Sequence, residues 1–219
     1  MPEASLYVLP FLISVALTPL VKKYSVICKA YAQENKRTVH HGLISRIGGV
    51  AIYLAFMICA AVFVHADRAV FGILAGGSVM FFTGLVDDLI DIKPVVKLAL
   101  EAVAALVLIA SGVQVDVLRL PFGIRIDFGF VSFLFTILWV CGITNAVNLI
   151  DGLDGLAGGM SVIILVVTGC LAMIDRRPDV ITICFLLAGA TLGFLVFNSY
   201  PASIFMGDCG SLFLGFMIS

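Results

Sequence analysis

Apolar residues run in long blocks, at about 4 to 21, 47 to 65, 69 to 86, 94 to 112, 129 to 150, 160 to 174 and 180 to 197, with an eighth beginning near Leu212. A helix crossing a bilayer core takes about 17 to 25 such residues, so the pattern predicts seven complete transmembrane helices and the start of another. The sixth and seventh blocks are short by that measure, and their helices are expected to extend into Gly158, Gly159 and Asn198. The segment from 113 to 127 differs. There apolar and polar residues alternate around Pro121 and Gly123, which predicts a short extracytoplasmic β-hairpin, a structural lid, between the fourth and fifth helices. The expected fold is therefore an all-α polytopic membrane bundle plus this hairpin, forming a single domain over 1–219 with no internal repeat. Small residues at Gly72, Ala75, Gly76 and Gly77, and again at Ala188, Gly189, Ala190 and Gly193, suit close helix packing in lipid.

Composition agrees with the pattern. Of 219 residues, 62% are hydrophobic and 12% charged, with mean hydropathy +1.17, against about 45–50% apolar in soluble domains. The net charge of -1, with 13 basic residues scattered over short loops, excludes a nucleic-acid partner. Lys22, Lys23, Lys29, Lys36, Arg37 and Arg46 gather in the first loop, which the positive-inside rule places in the cytoplasm, leaving the N-terminus outside. Counting Lys93 and Lys97, the inner side holds eight basic residues against five outside. Ala30-Tyr31-Ala32 resembles a signal-peptide cleavage site, but no basic region precedes the apolar stretch and Lys22 and Lys23 interrupt its end, so cleavage is not expected. The six cysteines contain no C-x-x-C pair and read as small packing residues.

Candidate chemistry sits where the apolar blocks stop. Asp87, Asp88 and Asp91 follow the third block, Asp151 and Asp154 the fifth, and Asp208 precedes the eighth. The parity of the crossings puts all of them on one side of the bilayer, as one acidic site. Asp87 and Asp91 lie one helical turn apart if the helix continues to Ile92 before Pro94. Adjacent carboxylates either titrate late, giving a base, or are held ionised by a cation; a solvated helix end capped by Asp is the bland alternative. In NAVNLIDGLDGLAGG, Asn148 and Asp151 point within roughly 60° of each other on a helix, while Asn145 and Asp154 drift away. Oxygen-only donors of this kind suit a hard divalent ion that completes its shell with substrate phosphates and water. In NSYPASIFMGDCGS, a helix starting near Leu212 would offer backbone N–H groups to an anion, with Asp208 beside a counter-metal or simply capping the helix. Phe205 at the membrane edge could stack on a base or anchor the interface. Glu101, four residues after Lys97, is expected either to pair with it or to orient it toward an anion.

The stretches RTVHHGLISRIGGVAIY, VDDLIDIKPVVKL, NAVNLIDGLDGLAGG and NSYPASIFMGDCGS, in this order and spacing, resemble the polyprenyl-phosphate N-acetylhexosamine-1-phosphate transferases. These initiate O-antigen, teichoic acid and peptidoglycan lipid intermediates, and the first stretch resembles the N-acetylglucosamine branch more than the muramoyl-pentapeptide branch. The resemblance implies transfer of a sugar-1-phosphate, most simply GlcNAc-1-phosphate, from a UDP-sugar to undecaprenyl phosphate at the cytoplasmic face of a bacterial inner membrane. UMP is released, and Mg²⁺, or Mn²⁺ in its place, is required. By motif match, Asn148 and Asp208 would be metal ligands. Asp87 would contact or deprotonate the lipid phosphate, with Asp88 beside it, and Asp151 would position the diphosphate. Asp154, Asn198 and Phe205 would hold the uracil, and Lys97, Lys36, Arg37, His40 and Arg46 would meet phosphates. A homodimer is an admissible assembly.

Ser45 stands where many relatives have Pro, Cys209 where Thr or Ala is usual and Glu101 where Gln is frequent; none removes a proposed ligand. The family's chains continue past the equivalent of Ser219 through further helices and a loop whose His or Arg residues contact the sugar or diphosphate. Two other functions are weighed beside the transferase. An ion-coupled transporter would place its acids near the bilayer midplane, and a fragment that binds UDP-sugar or Mg²⁺ without turnover would lack that last loop.

Overall fold

The computed structural model describes residues 5–28, 44–65 and 67–219. Eight helices are present among these residues: α1 (Ser5–Cys28), α2 (Gly49–Phe63), α3 (Arg68–Ile90), α4 (Pro94–Ala110), α5 (Ser132–Ile150), α6 (Leu156–Ile174), α7 (Pro178–Asn198) and α8 (Gly207–Ile218). Every predicted apolar block carries a helix. Five of them are long and apolar enough to cross a membrane, in α1, α3, α5, α6 and α7, while α2 and α8 are shorter apolar helices and α4 carries Lys97 and Glu101. As expected, α6 takes in Gly158 and Gly159 and α7 ends at Asn198.

Three boundaries differ from expectation: α1 runs on to Cys28, taking Lys22 and Lys23 from the expected first loop into the helix, and the end of α3 and the start of α8 shift as well. Helix α3 stops at Ile90 because Asp91 adopts the left-handed conformation (φ 56°): its N–H still closes the last turn on the Asp87 carbonyl (2.9 Å), but Asp91 is an exposed helix cap whose side chain leaves the helical track toward Asp87. Helix α8 begins at Gly207, five residues before Leu212, which puts Asp208 in its first turn.

Helix α8 packs against α3 and α5 and also meets α2, while α7 packs against α1 and α6. Around this junction Phe56, Ile52, Phe194, Leu186, Met206 and Phe213 are fully buried, and Tyr53 stacks on Phe81 with ring centroids 3.8 Å apart. Two glycines let the backbones approach where the acidic segments meet. A Cβ on Gly84 of α3 would strike the Asp208 carbonyl, and Gly207, at φ +73°, would drive one into the Arg46 carbonyl. Before α2, the chain at 45–49 is laced to the start of α8. Phe205 N–H donates to the Ser45 carbonyl (2.8 Å), Gly48 N–H to that of Phe205 (3.0 Å) and Gly49 N–H to that of Met206 (2.8 Å). The buried Ser45 thus contributes its carbonyl.

The hairpin forms over β1 (Val117–Arg119) and β2 (Arg125–Asp127), antiparallel with Leu118 opposite Ile126. It joins the far ends of α4 and α5, opposite the acidic segments, so it covers none of them. Ser132 and Thr136 pin its base, through Ser132 Oγ to the Val115 carbonyl (2.8 Å) and Val115 N–H to Thr136 Oγ1 (2.9 Å).

Candidate active site

The end of α3, the starts of α4 and α6, the end of α5, the end of α7 and the start of α8 meet at one end of the bundle, so the predicted acidic segments converge. Asp88, at the end of α3, accepts from two backbone N–H groups at the start of α8: Asp208 N–H to Oδ1 and Cys209 N–H to Oδ2, each at 2.9 Å. The anion held by this helix start is therefore a carboxylate of the protein's own, favoured there by the helix dipole. The sequence offered that site to a ligand phosphate; instead it anchors α3 to α8.

Beside it, Lys97 of α4 places its ammonium between two acids, 3.2 Å from Asp87 Oδ2 and in a short contact with Asp208 Oδ2. Asp87 Oδ1 accepts from Ile92 N–H at 2.8 Å, so both of its oxygens are engaged. Lys97 thus pairs with Asp87 and Asp208, where the sequence had offered it Glu101. Glu101 is fully buried and accepts from Asn145 Nδ2. Asn148 Nδ2 donates to Ser211 Oγ (2.8 Å), one turn along α8 from Asp208. Asn145 and Asn148, three residues apart on α5, therefore serve different neighbours. Ser211 was not singled out from sequence. Its signal lay in the spacing from Asp208 to Ser211, one helical turn, legible only if α8 begins at Gly207.

A cavity of about 270 Å³ opens next to these groups, lined by Arg46, Asn148, Asp151, Asp154, Phe205 and Asp208, with Asn198 at its wall. Asp151 lies on the loop between α5 and α6. Burial raises its carboxyl to about 8, with the Asp208 and Asp88 charges acting in the same direction and Arg46 and the Gly207 N–H opposing. Asp154 Oδ2 accepts from Ala202 N–H (2.9 Å). Asn198 uses both ends of its amide on main chain, accepting from Gly155 N–H (3.1 Å) and donating to the Ile204 carbonyl (3.0 Å). Both side chains brace the loop that carries Phe205. Lys36, Arg37 and His40 lie outside the described residues; Arg46 lies in the cavity wall.

Among the described residues no group of three or more His, Cys, Asp or Glu is disposed to hold a metal. Of the oxygen donors lining the cavity, Asp154 and Asn198 are engaged with main chain, leaving Asp208, Asp151 and the neutral Asn148. This set fits Mg²⁺, which usually takes one or two carboxylates and leaves its other positions to phosphates and water. That Lys97 already bridges Asp87 and Asp208 shows that this pair attracts a cation.

Comparison with known proteins decides the family. Residues 70–219 match Glycosyl transferase family 4. The chain belongs to that family. A Bacillus subtilis protein named as a probable undecaprenyl-phosphate N-acetylglucosaminyl 1-phosphate transferase is 35% identical over 215 residues, 97% of this chain and 60% of the relative. Phospho-N-acetylmuramoyl-pentapeptide-transferases from Streptococcus uberis and Listeria welshimeri are 36% and 48% identical, over 78% and 46% of this chain. The chain spans 54% and 31% of the length of those two family members.

Proposed function

We propose that this family member transfers a hexosamine-1-phosphate, GlcNAc-1-phosphate in the first instance, from a UDP-sugar to undecaprenyl phosphate, releasing UMP. The observation that carries the proposal is the convergence of Lys97, Asp87, Asp208, Asn148 and Asp151 beside a cavity at one end of an apolar helical bundle. A water-soluble nucleotide and a membrane-held phosphate can meet there. The alignment covering nearly the whole chain with the Bacillus subtilis relative supports the GlcNAc donor. The five candidate spans support a multi-pass bacterial membrane protein, and the first-loop lysines and arginines favour a cytoplasmic site with the N-terminus and hairpin outside. On that topology all eight helices are membrane-embedded.

The chemistry follows from charge. Two phosphate-bearing substrates repel, so neutralisation is the largest requirement. Asp208 and Asn148 would hold Mg²⁺, which when bound would supply Lewis-acid polarisation of the phosphoryl oxygens and positive charge between the two phosphates. Lys97, set by Asp87, places a positive charge where the acceptor phosphate arrives. That phosphate, with a second pKa of about 6, is already mostly dianionic at neutral pH and attacks without a strong base. Asp87, with both oxygens engaged, acts by holding Lys97 in place. Asp151 and Arg46 face the diphosphate, and Phe205, braced by Asp154 and Asn198, offers its ring to the uracil. Lys36, Arg37 and His40 add phosphate contacts from the first loop.

Apart from Glu101 inside α4, the acids of this site lie at helix ends, which does not suit the midplane site of an ion-coupled transporter. The assay that tests the proposal follows UMP release from UDP-GlcNAc by the purified chain with Mg²⁺. Release only when undecaprenyl phosphate is present is expected. Equal release without it would refute the acceptor, and nucleotide binding without release would leave a binding fragment.

A further inference from the structure

Glu101 is 0% exposed, yet only one of its carboxylate oxygens is used. Oε2 accepts from Asn145 Nδ2, while Oε1 has no hydrogen-bond donor among the described residues. A buried carboxylate with an empty oxygen is costly, and more so in an apolar bundle. The feature therefore points to a donor that arrives in another state of the site.

Lys97 is one helical turn away on the same face of α4, within electrostatic range of Glu101. Its four-carbon stem is flexible, and its ammonium has three donors. At present it sits between Asp87 and Asp208. Two carboxylates outbid one, and a Lys preceding a Glu by four residues is the weaker order for a helical pair. A divalent cation on Asp208 reverses that balance, because it places two positive charges beside the ammonium and occupies one of its acceptors.

We propose that Glu101 is the second seat of Lys97: when a divalent cation occupies Asp208, the Lys97 ammonium gives up Asp208, keeps Asp87 and turns a freed N–H to Glu101 Oε1. The proposal rests on the reading of Asp208 as the cation site. The exchange keeps Lys97 paired in both states and makes cation affinity depend on a residue that never touches the cation. Glu101 is thus a positioning residue, and its effect must pass through Lys97.

The test is Mn²⁺ binding, followed by electron paramagnetic resonance on the purified chain without substrates, for wild type, Glu101→Gln, Lys97→Met and the double variant. Gln keeps an acceptor for Asn145 and nearly the same shape, so folding is retained and thermal unfolding checks it. Glu101→Gln is expected to weaken Mn²⁺ binding about tenfold, and Lys97→Met to tighten it. In the Lys97→Met background, Glu101→Gln should change binding by less than about twofold. Equal weakening with and without Lys97 would show Glu101 acting as a fixed charge, and no weakening in wild type would show no role; either overturns the exchange alone. Binding unchanged by Asp208→Asn overturns the cation reading and the exchange with it.

Discussion

The two ends of the bundle both carry aspartates, but those aspartates keep different company. At the hairpin end their partners lie within 16 residues: Asp67 caps its own helix through Val70 N–H, Asp127 pairs loosely with Arg125 at 3.5 Å, and Asp116 accepts from Gln114 and, across the hairpin, from Ser132. At the other end Asp88 bonds backbone 120 and 121 residues away, Lys97 reaches Asp208 across 111 residues, and Asp154 holds backbone 48 residues on. Local caps form wherever a helix starts or turns. Pairings across such separations exist only in the folded chain, where loop closure has already been offset by the packed helices. The comparison teaches that an acidic residue near a membrane edge is not informative by itself; what marks a site is a set of acids whose partners come from distant segments.

The contrast can be broken by substitution. After the metal candidate Asp208, the largest effect is expected at Asp87. Asp87→Asn removes the ion pair that sets Lys97 and should lower turnover about 100-fold, to the same degree at pH 6 and pH 8. A clearly smaller loss at pH 8, read from initial rates of UMP release, would make Asp87 a base after all. Next is Asp88→Ala, which leaves two backbone N–H groups at the start of α8 without their acceptor. A cost of about 2 kcal/mol is expected, seen as a fall of about 4–8 °C in Tm. An unchanged Tm would show that α8 is held by packing alone.

Asp151 gives a smaller effect with a definite sign. Its carboxyl is held at about 8 in the fold, mainly by burial, against about 4 in an unfolded chain. The folded protein therefore binds this proton more tightly. The resulting stability is complete below about pH 4, erodes as the pH rises and is gone above about pH 8. In buffer free of divalent cations, Tm should fall between pH 5 and 8, and Asp151→Asn should flatten that fall; an identical slope in the variant would contradict it. At the hairpin end, Asp127→Ala should change stability by no more than about 0.5 kcal/mol, because its pair with Arg125 is largely exposed. A larger change there would erase the distinction between the two ends.

Much of this arrangement is legible in the sequence. Apolar runs give the helices because lipid leaves the backbone no other way to satisfy its hydrogen bonds, and the parity of the crossings gathers the acids at one end. The hairpin is legible from alternation about Pro121 and Gly123. The details that escaped are those fixed by contact. Nothing local says that α8 begins at Gly207, because the acceptor that starts it, Asp88, lies on another helix. Lys97 has Glu101 one turn away in sequence and two stronger partners across the fold. Asp91 stops α3 through a left-handed residue that the acidic cluster gave no reason to expect. The roles of Asn198 and Asp154 in bracing the 199–206 loop are likewise visible only once α6 and α7 are packed together.

The central claim is that the converged end, and not the acidity of either end, carries the activity. It is tested most directly by UMP release from UDP-GlcNAc and undecaprenyl phosphate, with Mg²⁺, for Asp208→Ala beside Asp127→Ala. Asp208→Ala should lose at least about 100-fold while Asp127→Ala stays within about twofold of wild type. Turnover unchanged by Asp208→Ala in a chain that remains folded would contradict the account.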